Sequence, residues 1–161
     1  MLAALRGCLL AGRCAGFVAC LALAVLAADA HAIFIVNQPW VGPAAQGGSA
    51  EAYMDLTSTE GAVLVGARSD IAAAVTVRAP GKGAGDVGRL RLPANAMVSL
   101  APGGYRLVLS KLTRPIKLGE RVMLTLTIEA ADGARRDIPV NAEARLRSPI
   151  EDERRAHGQA H

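Results

Sequence analysis

Cysteine is missing from all but the beginning of this 161-residue chain, because its three cysteines are Cys8, Cys14 and Cys20. The remainder has no thiol for a disulfide bond, for thiol catalysis or for a cysteine-ligated metal. A domain built from it must be stabilised by a packed core alone.

Aromatic residues are also scarce, at 3% of the chain, so aliphatic side chains must fill that core. The formal net charge of +4 is spread along the chain, with no basic segment interleaved with aromatics. We therefore expect no nucleic-acid partner. No histidine lies in a predicted strand and no serine lies in a nucleophile turn. The sequence thus predicts no catalytic residue, and we expect a protein that is not an enzyme.

The first thirty residues have the composition of a secretory signal peptide. Arg6 and Arg13 precede the uncharged apolar run 15–28, which ends in a small-x-small pattern. This run is short for a membrane-spanning helix, so we predict cleavage of 1–30, with an uncleaved anchor as the alternative. Lipid attachment at Cys20 is disfavoured because the apolar run continues beyond it. We expect a periplasmic or otherwise exported protein with no membrane span after cleavage.

Short runs of alternating apolar and polar residues recur through 31–147, and this period predicts β-strands. The run at 122–128 is followed by Asp132-Gly133, a pair typical of a hairpin turn into the next run. Seven or eight such strands predict one all-β domain with a Greek-key β-sandwich or barrel. The predicted strands are 33–36, 52–57, 63–67, 75–78, 98–100, 105–112, 122–128 and 134–140.

Three segments lack this alternation. Residues 42–49 predict a mobile loop, and the glycine-rich residues 79–88 predict a second surface loop. Residues 148–161 are dense in charge and almost free of large apolar side chains. We expect them to form a disordered charged tail.

Several segments resemble, in order and spacing, the periplasmic copper chaperone family PCuAC. They include Pro39-Trp40, the run 52–57, Leu100-Ala101-Pro102-Gly103-Gly104-Tyr105, and the run 112–120. The resemblance implies a cupredoxin-like β-sandwich that carries Cu(I). It also implies partners among cytochrome oxidase assembly proteins or another copper carrier.

The chain departs from this family at the copper ligands. In PCuAC proteins they are a His before the glycine-containing loop, a Met in that loop and a His-x-Met after the Gly-Gly-Tyr turn. By the same resemblance Arg78, Arg106 and Val108 replace both histidines and the second methionine, and the loop methionine has no counterpart. Arginine offers only hydrogen-bond donors and cannot ligate a metal. We therefore expect the family's copper site to be absent.

Arg78 and Arg106 would form a positively charged notch if the fold brings them together. Guanidinium groups bind carboxylate or phosphate in a bidentate manner, so such a notch could hold an anion or an acidic partner. The alternative is that both side chains extend into solvent, as surface arginines commonly do.

The three histidines lie near the chain ends and offer another route to metal. Cleavage after Ala30 would make His31 the first residue, whose amine and imidazole together can chelate Cu(II). His157 and His161 are four residues apart and could share an ion if the tail were helical. The alternative is a solvated tail without metal.

Two hypotheses for function follow. The first is a periplasmic PCuAC-like copper chaperone, or an accessory protein for copper handling and oxidase assembly, with a degenerate or relocated copper site. The second is a metal-free periplasmic interaction module that binds an anionic or protein partner through Arg78 and Arg106.

Overall fold

The computed structural model describes residues 33–81, 83 and 85–158. Within these residues the chain forms nine strands followed by one helix. The elements are β1 (Phe34–Val41), β2 (Ala50–Ser58), β3 (Ala62–Ser69), β4 (Ala72–Arg78), β5 (Leu90–Leu92), β6 (Met97–Leu100), β7 (Arg106–Leu112), β8 (Arg121–Ala130), β9 (Arg135–Ala144) and α1 (Pro149–Gly158). The predicted signal peptide, residues 1–30, lies outside the described residues.

The strands form one sheet in the order β1-β9-β8-β3-β4-β7-β2-β6, with β5 paired to β3. β1 also pairs with β2, so the sheet closes on itself as a barrel-like sandwich. This architecture confirms the predicted all-β class and the single domain. None of the described residues forms a helix long and apolar enough to cross a membrane.

The hairpin of β8 and β9 has the strand alternation and the turn that the sequence predicts. The strands pair from Arg121↔Glu143 to Glu129↔Arg135 without a register shift. Gly133 closes the turn with a φ of 83°, a conformation that glycine adopts without steric cost. The period-2 alternation therefore directs one face of β8 inward along its whole length.

The core lies between the two layers of the closed sheet and is aliphatic, as the scarcity of aromatics requires. Leucines from five strands are its largest fully buried members: Leu56, Leu64, Leu92, Leu107, Leu109, Leu124 and Leu126. Met54 is buried with them, whereas Met97 and Met123 are exposed, as their strand positions predict.

The segment 42–49 is a loop, and backbone hydrogen bonds attach it to the end of β7. The Gly47 N–H donates to the Leu112 carbonyl at 2.7 Å, and the Leu112 N–H donates to the Gly48 carbonyl at 3.1 Å. The segment 79–88 also lies between strands, but its end is joined to β4 by an isolated bridge between Arg78 and Asp86. The sequence did not predict β5, because three residues are too few to establish a period.

Helix α1 occupies the segment for which the sequence predicted a disordered tail, so structure and prediction differ here. Pro149 is the first residue of the helix, a position at which its fixed φ and missing N–H are tolerated. Its first turn is closed by a 3.0 Å hydrogen bond from the Glu151 N–H to the Ser148 carbonyl. A dense charge pattern thus did not exclude a helix that begins at Pro149.

Candidate functional site at the β4–β7 corner

The positions of the predicted notch lie side by side in the structure. Arg78 ends β4, Arg106 begins β7, and the two are direct partners in the antiparallel ladder. Val108 lies two residues further along β7, between Thr76 of β4 and Glu51 of β2. The fold therefore assembles the three replaced positions at one place, which is called the corner below.

Arg106 is held by three acceptors and is only 17% exposed. Its Nε donates to Glu51 Oε1 at 2.9 Å. Its Nη1 donates to the carbonyls of Ala79 at 3.1 Å and Gly104 at 3.3 Å. One guanidinium thus joins β2, the end of β4 and the turn before β7, and its charge is matched by a carboxylate.

Arg78 is more loosely held. Its Nε lies 3.1 Å from Asp86 Oδ1, and the side chains are 42% and 53% exposed. The Nε atom itself is buried, yet its N–H makes no hydrogen bond with any described residue. We therefore treat the contact as an ion pair without a hydrogen bond, which contributes little at this exposure.

Glu51 accepts a second hydrogen bond, from the hydroxyl of Tyr53. The Tyr53 ring lies 4.4 Å from the Trp40 ring, measured between centroids, at an angle of 34°. Burial, followed by the hydrogen bond to Glu51, raises the pKa of Tyr53 well above its usual range. The network therefore runs from Trp40 and Tyr53 through Glu51 to Arg106.

Sequence reasoning missed Glu51 and Tyr53 as members of this site. Their i, i+2 spacing in β2 places both side chains on one face of the strand, which was the one available signal. Nothing in the sequence indicated that Arg106, 55 positions away from Glu51, would be their neighbour.

Residues 34–140 match the LpqE-like family model. The chain belongs to the LpqE-like family. No curated protein matches it.

Solved structures similar to this LpqE-like protein are PCuAC domains. The apo PCuAC domain from PmoF1 has a TM-score of 0.61 and 21% identity, and the match covers 73% of this chain and 100% of that domain. The copper-bound PCuAC domain from PmoF2 has a TM-score of 0.56 and 21% identity, over 71% of this chain and 99% of that one. The solution structure of CuI-DR1885 from Deinococcus radiodurans has a TM-score of 0.53 and 27% identity, over 74% and 85%. The predicted resemblance to PCuAC and the cupredoxin-like fold are confirmed.

Copper does not fit the corner of this LpqE-like protein. Neither guanidinium has a lone pair to offer a metal, and the valine side chain has no donor atom at all. Glu51 is already engaged by Tyr53 and Arg106. Throughout the part of the chain that the structure describes, no group of three or more His, Cys, Asp or Glu side chains could hold a metal ion.

The histidines predicted as metal ligands are not brought into this corner by any described contact. His31 and His161 lie outside the described residues. His157 belongs to α1, and its side chain is not described. All three therefore stay predicted ligands.

Proposed function

We propose that this LpqE-like protein is an exported, non-enzymatic accessory protein for copper handling whose PCuAC corner does not carry Cu(I). The observation that supports the proposal is the contact set of Arg106. Where the family resemblance implies a histidine ligand, a guanidinium instead makes three hydrogen bonds to Glu51, Ala79 and Gly104. A cation placed there would find guanidinium N–H donors, which have no lone pair to offer it, and Glu51 already engaged by Arg106 and Tyr53.

The copper-handling context is inferred from the relatives. The similar structures include a copper-bound PCuAC domain and a Cu(I)-bound protein. A protein that keeps their fold without their ligands would assist a copper carrier or an oxidase assembly protein without transporting the ion itself. Export is supported by the signal composition of 1–30 and by the family's description as lipoproteins.

Within the corner, Arg78 is the more accessible cation. Arg106 would have to leave Glu51 before it could bind an added anion, whereas the Arg78 side chain is 42% exposed and is held only by an exposed ion pair with Asp86. We therefore assign the corner to contact with an acidic group on a protein partner, made through Arg78. Arg106 supports the surface from beneath.

The test is a Cu(I) competition titration of the exported protein against a chromophoric chelator, with the first residue fixed by intact mass. A version ending at Arg147 and the triple variant Arg78→His, Arg106→His, Val108→Met are titrated alongside. We expect no competition from the natural corner. We expect competition from the triple variant, because the three positions are adjacent and histidine and methionine are suitable ligands for copper.

Tight one-to-one binding by the natural chain that survives truncation at Arg147 would overturn the proposal. Binding that disappears on truncation would leave the corner without copper and place the ion on His157 and His161. A triple variant that still fails to compete would contradict the claim that the corner retains the family's geometry.

A further inference from the structure

A second surface lies between the neighbouring strands β1 and β9, and β2 separates it from β7 at the corner. β1 and β9 run parallel but share only two register pairs, Trp40↔Glu143 and Val41↔Ala144. Before that point the outer edge of β1, residues 34–37, pairs with no strand that the structure describes. This edge and the facing edge of β9, residues 135–141, are called the seam below.

The free backbone groups of β1 can be identified from its pairing with β2. The Thr59 N–H donates to the Ile33 carbonyl at 3.1 Å, which makes Ile33 the first hydrogen-bonded position of this antiparallel pair. Hydrogen-bonded and non-hydrogen-bonded positions alternate in such a pair. The N–H and C=O groups of Phe34 and Val36 therefore face away from β2, towards the seam.

β9 cannot complete the ladder opposite them. The Ala130 N–H donates to the Ala134 carbonyl at 2.8 Å, and alternation from that pair directs the backbone of residue 139 outward. Residue 139 is a proline and has no N–H to donate. In β1 a register shift between Asn37 and Trp40, with Gln38 at a φ of 47°, bends the strand at the same level. The β9 side of the seam thus lacks one donor, at Pro139, while the β1 side keeps the N–H groups of Phe34 and Val36.

A cavity of about 130 Å³ lies at the wide end of the seam. Its lining is mainly apolar and includes Phe34 of β1 and Ile138 of β9, together with residues of β3 and β8 such as Ala62 and Ile128. This volume is close to that of engineered cavities that hold one benzene ring, about 150 Å³. It can therefore accept one large apolar side chain from an added strand.

The positive charge of Arg136 at the cavity favours a partner with an acidic side chain. Arg136 lines the cavity, is exposed, and forms no ion pair with any residue that the structure describes. Its neighbours in β9 are engaged, Arg135 with Glu129 and Asp137 with Arg68. An acidic side chain two positions from the inserted apolar one would lie on the same face of the added strand and would therefore find Arg136 unpaired.

The part of the β1 edge before its register shift lacks the charges and prolines that protect edge strands. Residues 33–38 contain neither charge nor proline, and Ile33 and Ile35 are 60% and 41% exposed. We propose that the seam binds an extended segment of another protein, which adds as a strand to β1 and carries an acidic residue two positions from a large apolar one. This proposal does not depend on whether the corner binds copper.

The probe is a fluorescently labelled, end-capped seven-residue peptide that alternates valine with threonine and has a central leucine with a glutamate two residues after it. Binding to the exported full-length protein is measured by anisotropy, and amide shifts are followed by NMR. We expect saturable binding, with shifts concentrated at Phe34 and Val36. Replacing the central leucine by alanine is expected to weaken binding about tenfold, because the cavity would stay unfilled.

Two variants of the protein test the two contacts separately. Val36→Pro removes an N–H that faces the seam, and we expect it to abolish binding. Arg136→Glu is expected to weaken binding about fivefold or more and to favour a peptide with lysine in place of glutamate. Arg91→Glu, at an exposed β5 position outside the cavity lining, changes the net charge equally and should leave the affinity unchanged.

Each opposing outcome rejects the proposal. An affinity weaker than about 1 mM would show that the edge does not accept a strand. If Arg91→Glu weakened peptide binding as much as Arg136→Glu, the attraction would depend only on the net charge of the protein. A self-associated chain that Val36→Pro makes monomeric would assign the seam to a second copy. If Val36→Pro does not fold, Arg136→Glu still tests the proposal, because its preference should change from the glutamate peptide to the lysine peptide.

Discussion

The corner and the seam are two interruptions of the same closed sheet, and they satisfy their polar groups in opposite ways. At the corner Arg106 has acceptors from three segments of its own chain. At the seam the backbone groups of Phe34 and Val36 have no strand partner among the described residues. The guanidinium of Arg106 is therefore satisfied within the chain, whereas the seam needs an external partner to complete its hydrogen bonding.

If this comparison is right, truncating the core beneath the corner should cost far more than truncating the seam. Leu107, between Arg106 and Val108, is fully buried, so we expect Leu107→Ala to lower the free energy of unfolding by about 2–5 kcal/mol. Ile138 is half-buried beside a cavity, so Ile138→Ala should cost about 1–2 kcal/mol. Chemical denaturation of both variants measures the difference. Equal costs would show that the seam is as tightly packed as the corner.

The two arginines of the corner should also differ. Arg106→Ala removes three hydrogen bonds at a largely buried position, and we expect a loss of about 1–3 kcal/mol. Arg78→Ala removes an exposed ion pair and should cost less than about 1 kcal/mol. A double-mutant cycle of Glu51→Ala with Arg106→Ala should give a coupling energy, since the pair is direct. If Arg78→Ala lowered the free energy of unfolding more than Arg106→Ala, Arg78 and not Arg106 would be the residue that stabilises the corner.

The smallest effects are expected in the dependence of stability on pH. The raised pKa of Tyr53 means that its contribution is full below its ordinary value of 10.0 and is lost as pH rises beyond it. The hydrogen bonds from Arg68 and then Thr127 lower the pKa of Asp137 in β9, so its contribution is present above its ordinary value of 3.8 and is lost in acid. Thermal melts should therefore show a weaker alkaline slope for Tyr53→Phe and a weaker acid slope for Asp137→Asn. A pH dependence left unchanged by either substitution would contradict the hydrogen bonds described for that side chain.

The sequence predicted best what depends on neighbours in the chain. The β8–β9 hairpin follows from its alternation and from Asp132-Gly133, and both are local signals. β5 was missed because it has three residues, and α1 was missed because a charged composition does not by itself distinguish an exposed helix from a disordered segment. The fold class was thus predictable, whereas the shortest strand and the last helix were not.

The candidate sites depend on pairs that are distant in sequence. The proximity of Arg78 and Arg106 was expected from the PCuAC resemblance, and no period in the sequence indicates it. The contacts of Arg106 with Glu51, and the open edge opposite Pro139, arise from strand pairing across the closed sheet. A single sequence contains no signal for the pairing of such strands.

Closure of the sheet has a consequence for how the protein folds. The pairs Trp40↔Glu143 and Val41↔Ala144 join the first strand to the last, across roughly a hundred residues of intervening chain. Such contacts carry the largest loop-closure entropy and form late in folding. β1 can pair with β2 as soon as both have been made, but it meets β9 only after nearly the whole domain is present. The pairing of β1 with β9 is therefore a late step in folding. A chain shortened before β9 would form a sheet that does not close.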